Sequence, residues 1–134
     1  MKQYDVIIIG AGAAGLMCAI EALNRNRSVI IIEKANKVGK KILISGGGRC
    51  NFTNLNIDPL AYISENPHFC KSALSRYTQW DIIALLESFQ LSWEEKRLGQ
   101  LFCDQKSIGV LNALLKSCEK AKIELNVGTL KIKK

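Results

Sequence analysis

Gly10-Ala11-Gly12-Ala13-Ala14-Gly15 carries three glycines in the spacing GxGxxG. Each glycine answers a separate need of a diphosphate-binding turn. Gly10 permits the sharp exit from a strand, Gly12 lacks the Cβ that would keep a pyrophosphate off the backbone, and Gly15 lets the next helix pack closely. Unpaired N–H groups and the dipole at a helix start then favour the diphosphate. Such a pattern is weak evidence by itself. It gains force from Glu33, 18 residues after Gly15 and at the end of the next apolar run. A carboxylate there accepts hydrogen bonds from the adenosine ribose hydroxyls and repels a 2′-phosphate, which disfavours NADP. The competing reading is a glycine-rich turn with a surface glutamate, and the agreement of spacing with flanking elements argues against it. FAD and NAD share the ADP half, so this fingerprint does not choose between them.

A second cluster, Ser45-Gly46-Gly47-Gly48-Arg49-Cys50-Asn51-Phe52-Thr53-Asn54, follows. Consecutive glycines let backbone N–H groups converge into an anion-binding hollow. Arg49 adds a fixed cation suited to phosphate oxygens. Asn51, Thr53 and Asn54 supply short donors and acceptors within reach of a flavin ring or ribityl chain; a generic glycine-rich loop is the plainer alternative. Cys50 lies beside Arg49, where a lowered thiol pKa would make it reactive, against the simpler reading of a packing residue beside a cofactor. His68, the single histidine, follows Pro67 and reads as a loop or helix-start residue. Trp80 and Trp93 read as core or interface residues.

The elements that must position these groups follow from apolar patterning. Tyr4 to Ile9 is a β-branched run expected to form a fully buried parallel strand. Ala13 to Asn24 predicts a buried helix, and Ser28 to Ile32 a second buried strand ending at Glu33, which completes a right-handed βαβ unit. Lys34 to Asn56 reads as loop. Pro59–Ser64 and Cys70–Phe89 predict helices, Leu91 to Cys103 a short hairpin around Gly99, Lys106–Lys122 an amphipathic helix, and Ile123 to Ile132 a closing strand or two. The expected class is α/β with a Rossmann-like dinucleotide fold, residues 1–134 forming one domain.

Composition narrows the function classes. The 134 residues are 48% apolar and 23% charged, ordinary for a soluble globular domain. The net charge of +7 reads as a solvated basic surface that also suits an anionic ligand. A nucleic-acid face would cluster arginine with aromatics, and aromatics are 7%, so no nucleic-acid partner is expected. Five cysteines, an odd number without a CxxC pair, fit neither a disulfide framework nor a zinc site. No metal is expected, and reduced thiols point to the cytoplasm. The apolar stretch Val6 to Ile20 is too short to span a bilayer and lacks a placed cleavage site, so no membrane partner is expected.

The segment Gly39-Lys40-Lys41-Ile42-Leu43-Ile44 followed by Ser45 to Asn54 is similar to the pattern G-x-K-x-x-x-SGGGRCN-x-TN. With the N-terminal glycines, it makes the chain resemble a family of bacterial NAD(P)/FAD-dependent flavoproteins that includes the BaiN-like proteins and those labelled aminoacetone oxidases. The resemblance is strong to about Asn54 and looser over Glu94 to Leu115. It implies a two-dinucleotide-binding flavoprotein fold and an FAD-binding oxidoreductase, with NAD(P)H as candidate electron donor and a small-molecule substrate for the intact enzyme. By matching positions it implies that Gly10, Gly12, Ala14 and Gly15 hold the diphosphate and Glu33 the ribose, with Lys34 beside the adenosine. It places Lys40, Lys41, Gly47, Gly48, Arg49, Cys50, Asn51 and Thr53 against the rest of FAD. Leu130 or Lys131 would meet the adenine through its backbone. Gln100 and Cys103 depart from the family's usual Arg and Pro. Family chains are far longer, so the sequence corresponds to an N-terminal portion lacking a β-rich insertion and a returning segment. No catalytic residue is assigned. An NAD- or ADP-binding module and a basic nucleic-acid-binding domain are the other two classes, and self-association of exposed apolar faces is expected.

Overall fold

The computed structural model describes residues 2–128. It comprises two compact units, residues 1–44 with 111–134, and residues 45–110. In the first unit, strand β1 (Val6–Ile9), helix α1 (Ala13–Asn24) and strand β2 (Val29–Ile32) form the βαβ element that the sequence predicts. β2 is central. It pairs in parallel with β1, Val6 opposite Val29 through Ile9 opposite Ile32, and with β6 (Lys122–Glu124), Ile31 opposite Ile123. The core joins Leu16, Ala19 and Ile20 of α1 to Val29, Ile30 and Ile31 of β2. Each large aliphatic side chain buried in this way contributes roughly 1.5–3 kcal/mol. Cys118 closes the far side, its buried thiol donating to the Leu16 carbonyl at 3.3 Å.

β1 differs from expectation. Only Ile8 is buried, whereas Ile7 and Ile9 are 63% and 67% exposed. Its β-branched run therefore marks a strand with one covered face, because period-two alternation sends Ile7 and Ile9 to the side that nothing in this unit covers.

In the second unit, β3 (Asn51–Asn54), β5 (Gln100–Cys103) and β4 (Trp93–Glu95) form an antiparallel sheet in that spatial order. The expected hairpin is present, turning at Arg97–Gly99. The expected loop from Lys34 to Asn56 is not wholly loop: it contains α2 (Lys40–Ile44) and β3. β3 forms because Asn51 and Thr53 find partners on the distant β5, which local composition does not encode. The helix expected over Pro59–Ser64 shrinks to one 3-10 turn, Pro59–Ala61. That over Cys70–Phe89 splits into α3 (Lys71–Arg76) and α4 (Gln79–Ser88). The split falls at Thr78, whose N–H and hydroxyl both donate to the Asp81 carboxylate, at 2.6 and 2.7 Å, a local cap that starts a new helix. α5 (Lys106–Ser117) ends five residues before the expected Lys122, and the closing strand is only β6 among the described residues. Leu130 and Lys131 lie outside the described residues. No helix among the described residues is long and apolar enough to cross a membrane.

One contact sets how closely α1 lies on β1. A Cβ added to Gly15 would sit 1.9 Å from the Gly10 carbonyl oxygen and 3.4 Å from the Ile8 side chain. Gly15→Ala is expected to push α1 off the strand and to destabilise the fold by roughly 1–3 kcal/mol or more. A shift of the urea midpoint to lower concentration checks it; an unchanged midpoint would mean that the helix and strand do not need this approach.

Candidate dinucleotide site

In the first unit the glycine turn is tied down from three directions. The Gly10 N–H donates to the Ile32 carbonyl at 2.8 Å, and the Gly39 N–H donates to the Ala11 carbonyl at 2.8 Å. The Ala11 N–H donates to Glu33 Oε2 at 2.7 Å. Glu33 Oε1 accepts from the Ala35 N–H, also at 2.7 Å. The Glu33 backbone is held as well, its N–H donating to Glu124 and its carbonyl accepting from Val127. This residue therefore joins the β1–α1 turn to the ends of β2 and β6. The amides of Ala35 and Ala11 hold its carboxyl below its ordinary value, with the Lys40 cation adding a smaller push in the same direction and burial opposing them.

Gly12 caps α1 in an extended conformation with no side-chain hydrogen bond. The first amides of a helix have no intrahelical acceptor, and a Cβ at Gly12 would meet nothing within 4 Å. No internal contact thus explains glycine at this position. The arrangement is an open hollow floored by amides, which fits a diphosphate. Ala14 is exposed beside it, and Lys34, Lys40 and Lys41 are exposed on the segment that Gly39 anchors. Gly39 is fixed by its own surroundings, since a Cβ there would meet Leu111 at 2.4 Å.

The second unit presents open glycine backbone of its own. Gly46 and Gly47 adopt left-handed conformations (φ 55° and 67°), and Gly48 follows at 83°. Gly46 must be glycine on steric grounds as well, because a Cβ would lie 2.9 Å from the Asn51 nitrogen and 3.0 Å from the Phe102 ring. A Cβ at Gly47 would meet nothing within 4 Å. Arg49 is exposed, with its guanidinium 5.3 Å from the Phe102 ring centroid and Nε donating to the Gly46 carbonyl at 3.3 Å. Lys96 lies at the same 5.3 Å from that ring. Phe102 thus orients two cations through its π-system. The sequence offered no signal for either partner, since both come from the hairpin 48 or more positions away from the glycines.

Several site residues do other work than expected. Of the two readings of Cys50, the geometry favours packing: the side chain is buried, and burial pushes its thiol up, outweighing a hydrogen bond with Ser45 that lowers it. It is a packing residue at φ 56°, not an activated thiolate. With its amide nitrogen turned toward the carbonyls, Asn51 donates to Thr53 at 2.9 Å and Leu101 at 3.1 Å. Asn54 accepts from the Asn56 N–H and donates to the Leu98 carbonyl, at 2.7 and 2.9 Å. These two amides shape the loop. Thr53 lies in β3 opposite Leu101. His68 is exposed in a turn, and Trp80 is 59% exposed, outside any core of its unit. Trp93 donates to Glu87 Oε1 at 3.3 Å. Gly10, Gly12, Ala14, Gly15, Glu33, Lys34, Lys40 and Lys41 are therefore gathered by the first unit, and Gly47, Gly48, Arg49, Cys50, Asn51 and Thr53 by the second.

Known proteins align with this geometry. Residues 4–133 match the model of the HI0933-like protein Rossmann domain. A ribosomal RNA dihydrouridine synthase of Escherichia coli is 54% identical over 92% of this chain, and one of Haemophilus influenzae is 51% identical over 90%. A 3-dehydro-bile acid delta(4,6)-reductase of Clostridium scindens is 32% identical over 90%. The chain spans 31%, 30% and 30% of these relatives. Among solved structures, Thermovibrio ammonificans THI4 superposes with a TM-score of 0.58 at 14% identity, covering 91% of this chain and 38% of the other. The 3-ketosteroid-delta4-(5alpha)-dehydrogenase from Rhodococcus jostii RHA1 gives 0.58 at 15%, covering 92% and 38%. Those two likenesses establish the fold. With its glycine turn, its Glu33 strut and a match over nearly its whole length, the chain belongs to the HI0933-like family and forms that family's Rossmann domain.

Proposed function

We propose that this chain is the FAD-binding domain of a flavin-dependent oxidoreductase, and that the intact protein reduces uridine to dihydrouridine in ribosomal RNA. The carrying observation is the identity of 54% and 51%, over nine-tenths of the chain, to two ribosomal RNA dihydrouridine synthases. The open glycine backbone at Gly12 and Gly47, where a Cβ would touch nothing, supports a bound dinucleotide. An RNA partner then takes the place of the small-molecule substrate that the family resemblance implies, and the charge of +7 favours association with phosphates. NAD(P)H is the electron donor in this reading. The five free cysteines suit the reducing cytoplasm.

FAD, when bound and reduced by NAD(P)H, would supply the hydride that saturates an activated carbon–carbon double bond, with a proton from solvent completing the addition. The chain's own residues bind and orient. The α1 amides beside Gly12, Ala14 and Gly15 face the diphosphate. Glu33 keeps lone pairs beyond those given to Ala11 and Ala35, and these accept from ribose hydroxyls. Lys34, Lys40 and Lys41 balance the phosphate charge, while Arg49, steadied on Phe102, holds the flavin half with the amides of Gly47 and Gly48. Cys50, Asn51 and Thr53 hold that loop in shape. The relative named as a bile acid reductase favours a second substrate class, a steroid with conjugated unsaturation, for the same type of bond reduction.

Three outcomes follow. Deleting the gene should remove dihydrouridine from ribosomal RNA, read by mass spectrometry of nuclease digests, and the purified protein should restore it with NAD(P)H. Unchanged dihydrouridine, together with turnover of a bile acid enone, would select the second class. In the intact protein, Gly47→Val should cover the open backbone there, and Arg49→Ala should remove a charge-assisted contact of roughly 1.5–3 kcal/mol. Both should lower flavin content, the latter with a Kd about tenfold to a hundredfold weaker. Full occupancy in both variants would remove this loop from the cofactor site. Glu33 should also leave a signature on stability. Because its folded pKa lies below the ordinary 4.5, its contribution is present above that value and is lost as pH falls through the lowered one. Glu33→Gln leaves one amide facing an NH₂ group. The melting temperatures of the two forms should therefore differ near neutral pH and converge as pH falls through the lowered value. A gap that stays constant across that range would refute the role of the charge.

A further inference from the structure

The surplus of positive charge is confined to one unit. Residues 1–44 and 111–134 hold 13 lysines and arginines against 5 aspartates and glutamates, whereas residues 45–110 hold 6 against 7. Part of that surplus, at Lys34, Lys40 and Lys41, flanks the dinucleotide turn. Of the remaining cations, the topology places five at the opposite end of the parallel sheet, against three acids, Asp5, Glu21 and Glu119. Because β1, β2 and β6 are parallel and in register, the residues that precede them lie at one end, away from the C-terminal strand ends where Gly10 and Glu33 stand. Lys2 precedes β1, Arg25 and Arg27 precede β2, and Lys120 and Lys122 stand at the entry to β6. All five are exposed.

The acids at this end are largely engaged. Asp5 accepts from the Ser28 N–H and hydroxyl, each at 2.7 Å, which holds its carboxyl below the usual range. Glu21 pairs with Arg25 at 2.9 Å, and Lys122 reaches along β6 to Glu124, which stands opposite Ile32 toward the other end of the sheet. Glu119 is exposed between α5 and β6. Both ion pairs are exposed, and such pairs contribute little and exchange partners readily. Lys2 and Lys120 form no ion pair among the described residues, Arg27 has no direct ion pair but its charge acts on the Asp5 carboxylate, and Lys2 lies 5.9 Å over the Tyr4 ring.

We propose that this N-terminal end of the parallel sheet, with Lys2, Arg27 and Lys120 as its cations outside direct ion pairs, is a docking surface for RNA phosphates. The proposal rests on the RNA reading of the protein's function and adds where the polyanion is held. A ribosomal RNA substrate is large enough to touch the sheet end remote from the cofactor while its uridine reacts elsewhere. Contacts of this kind carry no sequence information; they position and strengthen, and they weaken with salt.

The test uses the intact flavoprotein with Lys2→Gln, Arg27→Gln and Lys120→Gln combined, and transcribed ribosomal RNA as probe. Flavin content and melting temperature should match the unsubstituted protein, since none of the three lies at the dinucleotide turn or in the core. RNA affinity should fall about tenfold or more at low salt, and the slope of log affinity against log salt should shrink by about 2 to 3. A triple variant that keeps its affinity and its slope overturns the docking surface. If the combined variant loses flavin, the three single variants are titrated instead, each expected to reduce the slope by about 1; unchanged slopes in all three overturn it equally. Dihydrouridine formation by the unsubstituted protein is measured alongside. Its absence defeats the functional reading, whereas its presence with RNA binding unaltered in the variants defeats only the proposed surface. Equal binding to vesicles of anionic phospholipid, lost with the same substitutions, would reassign the face to a membrane and also overturn the proposal.

Discussion

One carboxylate bridging two backbone amides governs the geometry of the first unit. Glu33 receives the Ala11 and Ala35 N–H groups on separate oxygens, both at 2.7 Å, and its own backbone reaches β6. A charged acceptor makes each of these hydrogen bonds stronger than a neutral one would. The glycine turn otherwise consists of residues with the greatest backbone freedom in the chain, and such freedom disfavours a fixed hollow. The carboxylate removes it. With the Gly39 N–H on the Ala11 carbonyl, the same turn also sets the position of the lysine-bearing segment.

The second glycine run reaches a similar end by different means. There is no carboxylate strut; left-handed glycines curl the backbone, and Phe102 below them serves as a platform for Arg49 and Lys96. Aromatic support orients a guanidinium without neutralising it, so the cation stays available to an anionic ligand. Cys50, next to Arg49, is sealed into the packing. Charge and burial are thus divided between neighbouring residues of a single loop.

Much of this was legible in the sequence because the signals are short-range. The spacing of Gly10, Gly12 and Gly15, the run before them and Glu33 at the end of β2 all emerge as written. The run Ser45 to Asn54 announces a left-handed backbone by its glycines alone. What stayed hidden depends on distant residues. β3 exists because β5 lies beside it, and Phe102 matters only once that pairing is made. The single helix read over Cys70–Phe89 divides at Thr78 because of one side-chain cap, which apolar periodicity does not register. The exposure of Ile7 and Ile9 was equally out of reach, since a β-branched run looks alike whether one face or two are covered. Composition says less about partners: low aromatic content argues against nucleic acid, whereas net charge segregates by unit and is informative only after folding.

The double duty of Glu33 limits how this lineage can diversify. In dinucleotide folds the acid at the end of the second strand is a natural place to switch toward a 2′-phosphorylated cofactor, by exchanging it for a neutral or basic side chain. Here that exchange would also strip the Ala11 and Ala35 amides of their acceptor and loosen the turn that any dinucleotide needs. Cofactor preference is thereby coupled to foldability, and a change of preference requires a second substitution that supplies a new acceptor for those amides first.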